Sequence, residues 1–200
     1  MKKISITNYN WIWFSQGYIN STIILLNTLL ENQQIPNKPT DNLWLPSSDI
    51  QYITIPIFYN IRHSLELIIK TTEVFKDTPT SKIFKTHDNR TLTEALIKTY
   101  GTDDKIAGEF ISIARKYYNE EFYKNNFSKC SLPDDPMNTL FRFPEKKGEI
   151  SYIDPTIFSK INKTLVSEIK IDVERLNILL YKFYGKHREP FYASLDAKLN

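Results

Sequence analysis

With 200 residues, 41% of them hydrophobic and 14% aromatic, the chain is long enough for one packed domain and too apolar for a disordered tail. Lysine plus arginine exceed aspartate plus glutamate by 26 to 23, and a net charge of +3 is too mild to declare a nucleic-acid binder. The single cysteine, Cys130, excludes an internal disulfide framework and a multi-cysteine zinc site, and five glycines argue against phosphate loops and turn-rich β folds.

The basic start, Met1-Lys2-Lys3, is followed by Asn8, Asn10, Ser15, Gln16 and Asn20 rather than by an apolar run. The expectation is that no signal peptide opens the chain. The richest apolar stretch, Ile19 to Leu30, is interrupted by polar residues and falls short of the ~20 residues a bilayer span needs. The expectation is a soluble, cytoplasmic protein with no membrane partner.

In chain order, Trp11, Phe14, Tyr18, Leu25 and Leu29 recur at helical spacing and predict a first helix with one apolar face. Pro36 and Pro39 end it. Ser47, Ser48 and Asp49 are candidate N-caps for a second helix, in which Pro56 predicts a kink or a late start. Beyond it the stripe is Phe58, Ile61, Leu65, Ile68, Thr72 and Phe75. Thr91 to Glu94 fits a capping box opening a short helix that Gly101 closes. Thr102 or Asp103 then caps another, with Ile106, Phe110, Ile113 or Ala114, and Tyr117 facing inward.

Helical periodicity disappears between residues 125 and 153. There Asn138–Phe143 and Glu149–Tyr152 read as two short strands joined by a turn through Gly148. A last long helix follows, with Asp154 as N-cap, Pro155 first, and Gly185 just past its end. Its stripe is Phe158, Ile161, Leu165, Ile169, Val173, Leu176, Leu180 and Phe183. At 1.5 Å per residue it would be roughly 45 Å long, so part of it projects or packs on a second subunit. The fold class expected is a mostly α bundle of four to five main helices. It forms one domain over residues 1–200, with a small β-hairpin insertion before the last helix.

Chemistry-bearing residues concentrate on the second helix. Measured from Ile61, Arg62, Glu66, Lys70 and His63 fall at about 100°, 140°, 180° and 200°, and so share the polar face. Arg62–Glu66 and Glu66–Lys70 have salt-pair spacing. The face is either solvated and laced with salt pairs, or a cluster aimed at an interface or ligand. In the loop Thr86–Arg90, His87 has the side chain suited to proton transfer near neutrality, and Asp88 stands beside it as a possible orienter.

Arg142, between Phe141 and Phe143, could pair a carboxylate or clamp a phosphate. His187 reads as part of a polar tail. Arg115-Lys116-Tyr117-Tyr118 and the run Tyr181–Arg188 mix basic and aromatic residues, a combination that can hold single-stranded nucleic acid. The acids are too scattered and the histidines too few to argue a metal site, and no cofactor is expected.

Three segments together resemble the HEPN superfamily of small α-helical domains. Arg62-His63-Ser64-Leu65-Glu66-Leu67-Ile68-Ile69-Lys70 resembles an RHxLELxxK helix. His87-Asp88 ahead of Leu92 resembles an HDLxxL element, and Phe141-Arg142-Phe143-Pro144 with Gly148 resembles an FRYPxxxxG segment. The resemblance covers residues ~57–150. It implies a bundle, usually dimeric, with polar residues gathered at the helix interface.

Many members of that superfamily are metal-independent endoribonucleases of toxin–antitoxin and antiviral defence systems. Carried over, the resemblance makes Arg62, His63, Glu66 and His87 the catalytic candidates, with Lys70, Asp88 and Arg142 binding ligand. It implies a homodimer, RNA or a nucleotide as ligand, and a cognate partner protein. The family signature closes with a histidine four to six residues past the arginine, where this chain has Leu67, Ile68 and Ile69.

Overall fold

The computed structural model describes residues 10–38, 47–74, 81–101, 103–127 and 155–199. Its helices are α1 (Asn10–Glu31), α2 (Ser48–Val74), α3 (Ser81–Lys85), α4 (Asn89–Tyr100), α5 (Lys105–Tyr118), α6 (Glu120–Asn126) and α7 (Lys163–Leu199). A 3-10 turn, Pro155–Lys160, precedes α7. The described residues are all-α, as expected. The hairpin expected over 138–152, Arg142 within it, Cys130 and Phe75 lie outside the described residues.

α2 is the central element. It packs against α1, α3, α4 and α5, while α7 packs against α1 and α5. α1 runs antiparallel to α2, since Ser15 Oγ donates to the Ser64 carbonyl at 3.2 Å and Tyr18 meets Tyr59 and His63. α1 is likewise antiparallel to α7: the Lys163 amide donates to the Pro36 carbonyl at 2.8 Å, and at the far end Gln16 reaches Tyr181. One core joins these layers through Leu26, Ile61, Leu65, Phe110, Val173 and Leu176. Phe58, Phe122, Tyr123, Phe127 and Phe158 close one end of it as an aromatic cluster, which is what fastens the short α6.

The apolar stripes expected for α2, α5 and α7 are buried where described, except that Ile106 of α5 is half-buried. The face expected for α1 is only partly so: Leu29 is buried, Trp11, Tyr18 and Leu25 are half-buried and Phe14 is exposed, while Ile12, Ser15, Ile19, Thr22 and Leu26 take the other interior places. Ser15 and Thr22 qualify for the interior because their hydroxyls donate to backbone carbonyls, at 3.2 and 2.7 Å. Pro56 lies inside a continuous α2, just over two turns past its start at Ser48, so the late start is not seen.

Three boundaries also differ. α4 begins at Asn89, not at Thr91–Glu94, because the Asp88 carboxylate caps it by accepting from the Arg90 and Thr91 amides. Gly101 closes it as expected, at φ 72°. α5 is capped by Asp104 rather than Thr102 or Asp103, again by a carboxylate accepting two amides. The last helix starts later, at Lys163, and continues through Gly185 to Leu199. A lone glycine lowers helix propensity by only ~1 kcal/mol and does not stop a helix that tertiary packing already holds.

Candidate functional site

From Asn60 to Glu73, every residue of α2 except His63 is buried. The polar face read from the helical wheel is therefore not solvated. Arg62, Glu66 and Lys70 are 3%, 2% and 3% exposed, since α4 and α5 cover the side that α1 leaves open. Buried charges survive only when paired and hydrogen-bonded.

Glu66 is the hub of this arrangement. Its Oε1 accepts from Lys70 Nζ at 2.7 Å and from His87 Nδ1 at 2.9 Å. His63 Nδ1 stands 3.7 Å from Oε2. Burial alone would raise the Glu66 carboxyl, but His63 and Lys70 outweigh it and hold the group down at about 2. Of the two imidazoles, His87 makes the hydrogen bond, because 3.7 Å is beyond hydrogen-bond reach.

The two histidines differ in surroundings. His63 stacks on Tyr59 with ring centroids 5.4 Å apart and meets Tyr18 edge-on at 4.8 Å. Its side chain is 17% exposed, against 44% for His87. His87 sits in the short link between α3 and α4. That link is held by the α4 cap and by the Asp88 amide, which donates to Thr86 Oγ1 at 3.1 Å.

An ionised carboxylate can only accept, so its bond fixes the proton of His87 on Nδ1 and leaves Nε2 with a lone pair when the ring is neutral. A carboxylate orienting an accessible imidazole is the arrangement a general base requires. Asp88, expected to orient His87 or bind ligand, instead spends its oxygens on the α4 amides and on the Thr91 hydroxyl.

Arg62 faces α5. Its guanidinium lies 5.6 Å from the centre of the Tyr118 ring, and the Tyr118 hydroxyl donates to the Arg62 carbonyl at 3.3 Å. Both line a cleft of about 400 Å³ between α2, α4 and α5, together with Asn89, Arg90, Thr93 and Arg115. In the sequence Asn89 and Arg90 belong to the loop of His87, and Arg115 and Tyr118 to a basic–aromatic run. The scarcity of arginine was the available signal, since three of the six in the chain meet here.

His187 packs against Phe183 and Tyr100, 4.3 and 5.4 Å between ring centroids, away from both sites. Burial pushes its imidazole below the usual value. Among the described residues, no group of three or more His, Cys, Asp or Glu side chains is placed to hold a metal ion. Among the same residues, no helix is long and apolar enough to cross a membrane. Compared with protein-family profiles, with curated proteins and with solved structures, the chain matches none.

Proposed function

We propose that this chain is a HEPN-like helical protein of toxin–antitoxin or phage-defence type that cleaves RNA without a metal ion. The observation that carries the reading is the buried, ionised Glu66 holding the accessible His87 through Nδ1 at 2.9 Å. In this reading His87 Nε2 takes the proton of a ribose 2′-hydroxyl. The 2′-oxygen attacks the adjacent phosphorus, and the bond to the 5′-oxygen breaks. The products are a 2′,3′-cyclic phosphate and a 5′-hydroxyl, the leaving oxygen taking a proton from solvent.

Glu66 and Lys70 keep the base oriented, and His63 stands beside the same carboxylate. The test is cleavage of a mixed-sequence RNA in the presence of a chelator, by wild type and by His87→Ala. General-base loss predicts a fall of about 10²-fold or more. Equal rates would sink the reading, and thermal unfolding of the variant checks that it is folded.

A second reading is a non-catalytic HEPN-like dimerisation module that binds a nucleotide, RNA or a partner protein. It is favoured by one specific observation: neither His63 nor His87 lines the arginine cleft. Binding without cleavage, from a dimer in light scattering, is its expected signature.

A further inference from the structure

α1 is uncharged on every side. The chain as a whole is 24% charged, yet no Asp, Glu, Lys or Arg occurs in α1 before Glu31. A helix without a polar, charged face is normally covered all round. Among the described residues α1 is not: α2 and α7 cover one side, and Trp13 and Ile24 stand 61% and 66% exposed on the other.

α7 carries a matching row. Ile171, Ile178 and Tyr181 are exposed there, with Glu174 between them. Gln16 of α1 reaches Tyr181, which sets the two helices side by side at this edge. At 100° per residue, Asn20, Trp13 and Ile24 lie about 40–80° round α1 from Gln16, away from its buried side. Ile178 and Ile171 lie about 60–80° round α7 from Tyr181, also away from the core. The two rows therefore form one outward face. Trp13, Gly17, Asn20 and Ile24 alternate steps of three and four residues, and so do Ile171, Glu174, Ile178, Tyr181 and Gly185. That is the spacing of a helix–helix seam.

The glycines of these rows agree with a seam. Gly17 and Gly185 lie inside helices, where only proline is a poorer residue. A Cβ at either would meet nothing within 4 Å among the described residues, so packing within the chain does not call for glycine there. A second helix backbone laid closely on this face would.

The face also suits a copy of itself. In a two-fold contact a surface meets its own image, so net charge on it would repel. Glu174 is the one charge in the two rows, and Lys170 neutralises it. With α1 about 33 Å long and two helices about 20 Å wide, the face offers roughly 650 Å² per copy, near the roughly 800 Å² per partner of a standard interface. A lipid surface would call for lysine or arginine beside the apolar row, and α1 has neither. We propose that a second copy of this chain docks on the α1–α7 face, the four helices packing across a two-fold axis. The inference rests on the dimerisation reading for its purpose and on this face for its evidence.

The test is analytical sedimentation of the full chain over about 1–100 µM, where wild type should be a dimer. Ile24→Glu with Ile178→Glu, both at exposed positions, should raise the dissociation constant about a hundredfold or more with an unchanged helical circular dichroism spectrum. Gly17→Gln should raise it about tenfold, although glutamine is the better helix former. Wild type that stays monomeric at about 100 µM overturns the proposal. So does a dimer whose dissociation constant either variant leaves unchanged. The second outcome refutes this face and leaves the dimerisation reading standing, whereas the first refutes both.

Discussion

α2 and α7 are both long helices with a regular apolar stripe, yet they treat their charges in opposite ways. α7 buries its stripe and leaves Glu168 exposed, with Lys170 and Glu174 pairing at the rim. α2 is covered on nearly all sides and keeps Arg62, Glu66 and Lys70 inside. Identical i,i+4 chemistry therefore means different things. Lys170–Glu174 is a half-exposed pair of the kind worth a few tenths of a kcal/mol, whereas Glu66–Lys70 is a pair that neither partner can leave. An element surrounded by neighbours must find partners for the charges it buries, and α2 gathers Lys70, His63 and His87 around the Glu66 carboxylate.

The comparison breaks most visibly at Glu66. Replacing it by alanine leaves the Lys70 ammonium, 4% exposed, without its carboxylate. The expected loss is about 3–5 kcal/mol in urea unfolding. Glu66→Leu combined with Lys70→Met should cost less than either change alone, because both buried charges then go together. A Glu66→Ala cost below about 1 kcal/mol would mean that the cluster contributes no more than a surface pair.

Acid gives the next largest effect. The Glu66 carboxyl is held down at about 2 in the folded chain, against 4.5 for a free one. Its folded value is depressed, so the stabilisation is complete above pH 4.5 and is lost as pH falls through the window down to 2. The magnitude is on the order of 3 kcal/mol. Urea unfolding measured across that window should show the loss for wild type, and Glu66→Gln should flatten it.

The smallest effect sits at the α5–α7 contact. Lys186, with its side chain 49% exposed, pairs with Asp104 at the start of α5. Lys186→Ala should cost at most about 1 kcal/mol, and less in high salt. A loss comparable to that of Glu66→Ala would erase the distinction between buried and exposed pairs on which the comparison rests.

Much of the bundle was legible in the sequence. The stripe from Phe158 to Phe183 repeats every three or four residues, and all eight of its members are buried. Gly101 closes α4 because it alone adopts φ 72° among the described glycines. The failures have physical causes. α1 was rotated because aromatic residues drew the stripe, while Ser15 and Thr22, satisfied by carbonyls, took the interior places. α6 was missed because its seven residues are too short for a period to show, and an aromatic cluster from distant segments fastens it.

The site divides along the same line. Arg62, His63, Glu66 and His87 were recognisable by residue type and spacing, and Glu66, His63 and His87 do meet. The arginine cleft was not recognisable, because Arg62, Arg90 and Arg115 come from three helices and no local pattern joins them.

What the sequence by itself determined is the set of helices and the stripes that hold them together, since periodicity and capping act over a few residues. Only the tertiary structure decided that the polar side of α2 faces inward. Burial depends on how many neighbours an element acquires, and that number is set by packing between segments dozens of residues apart.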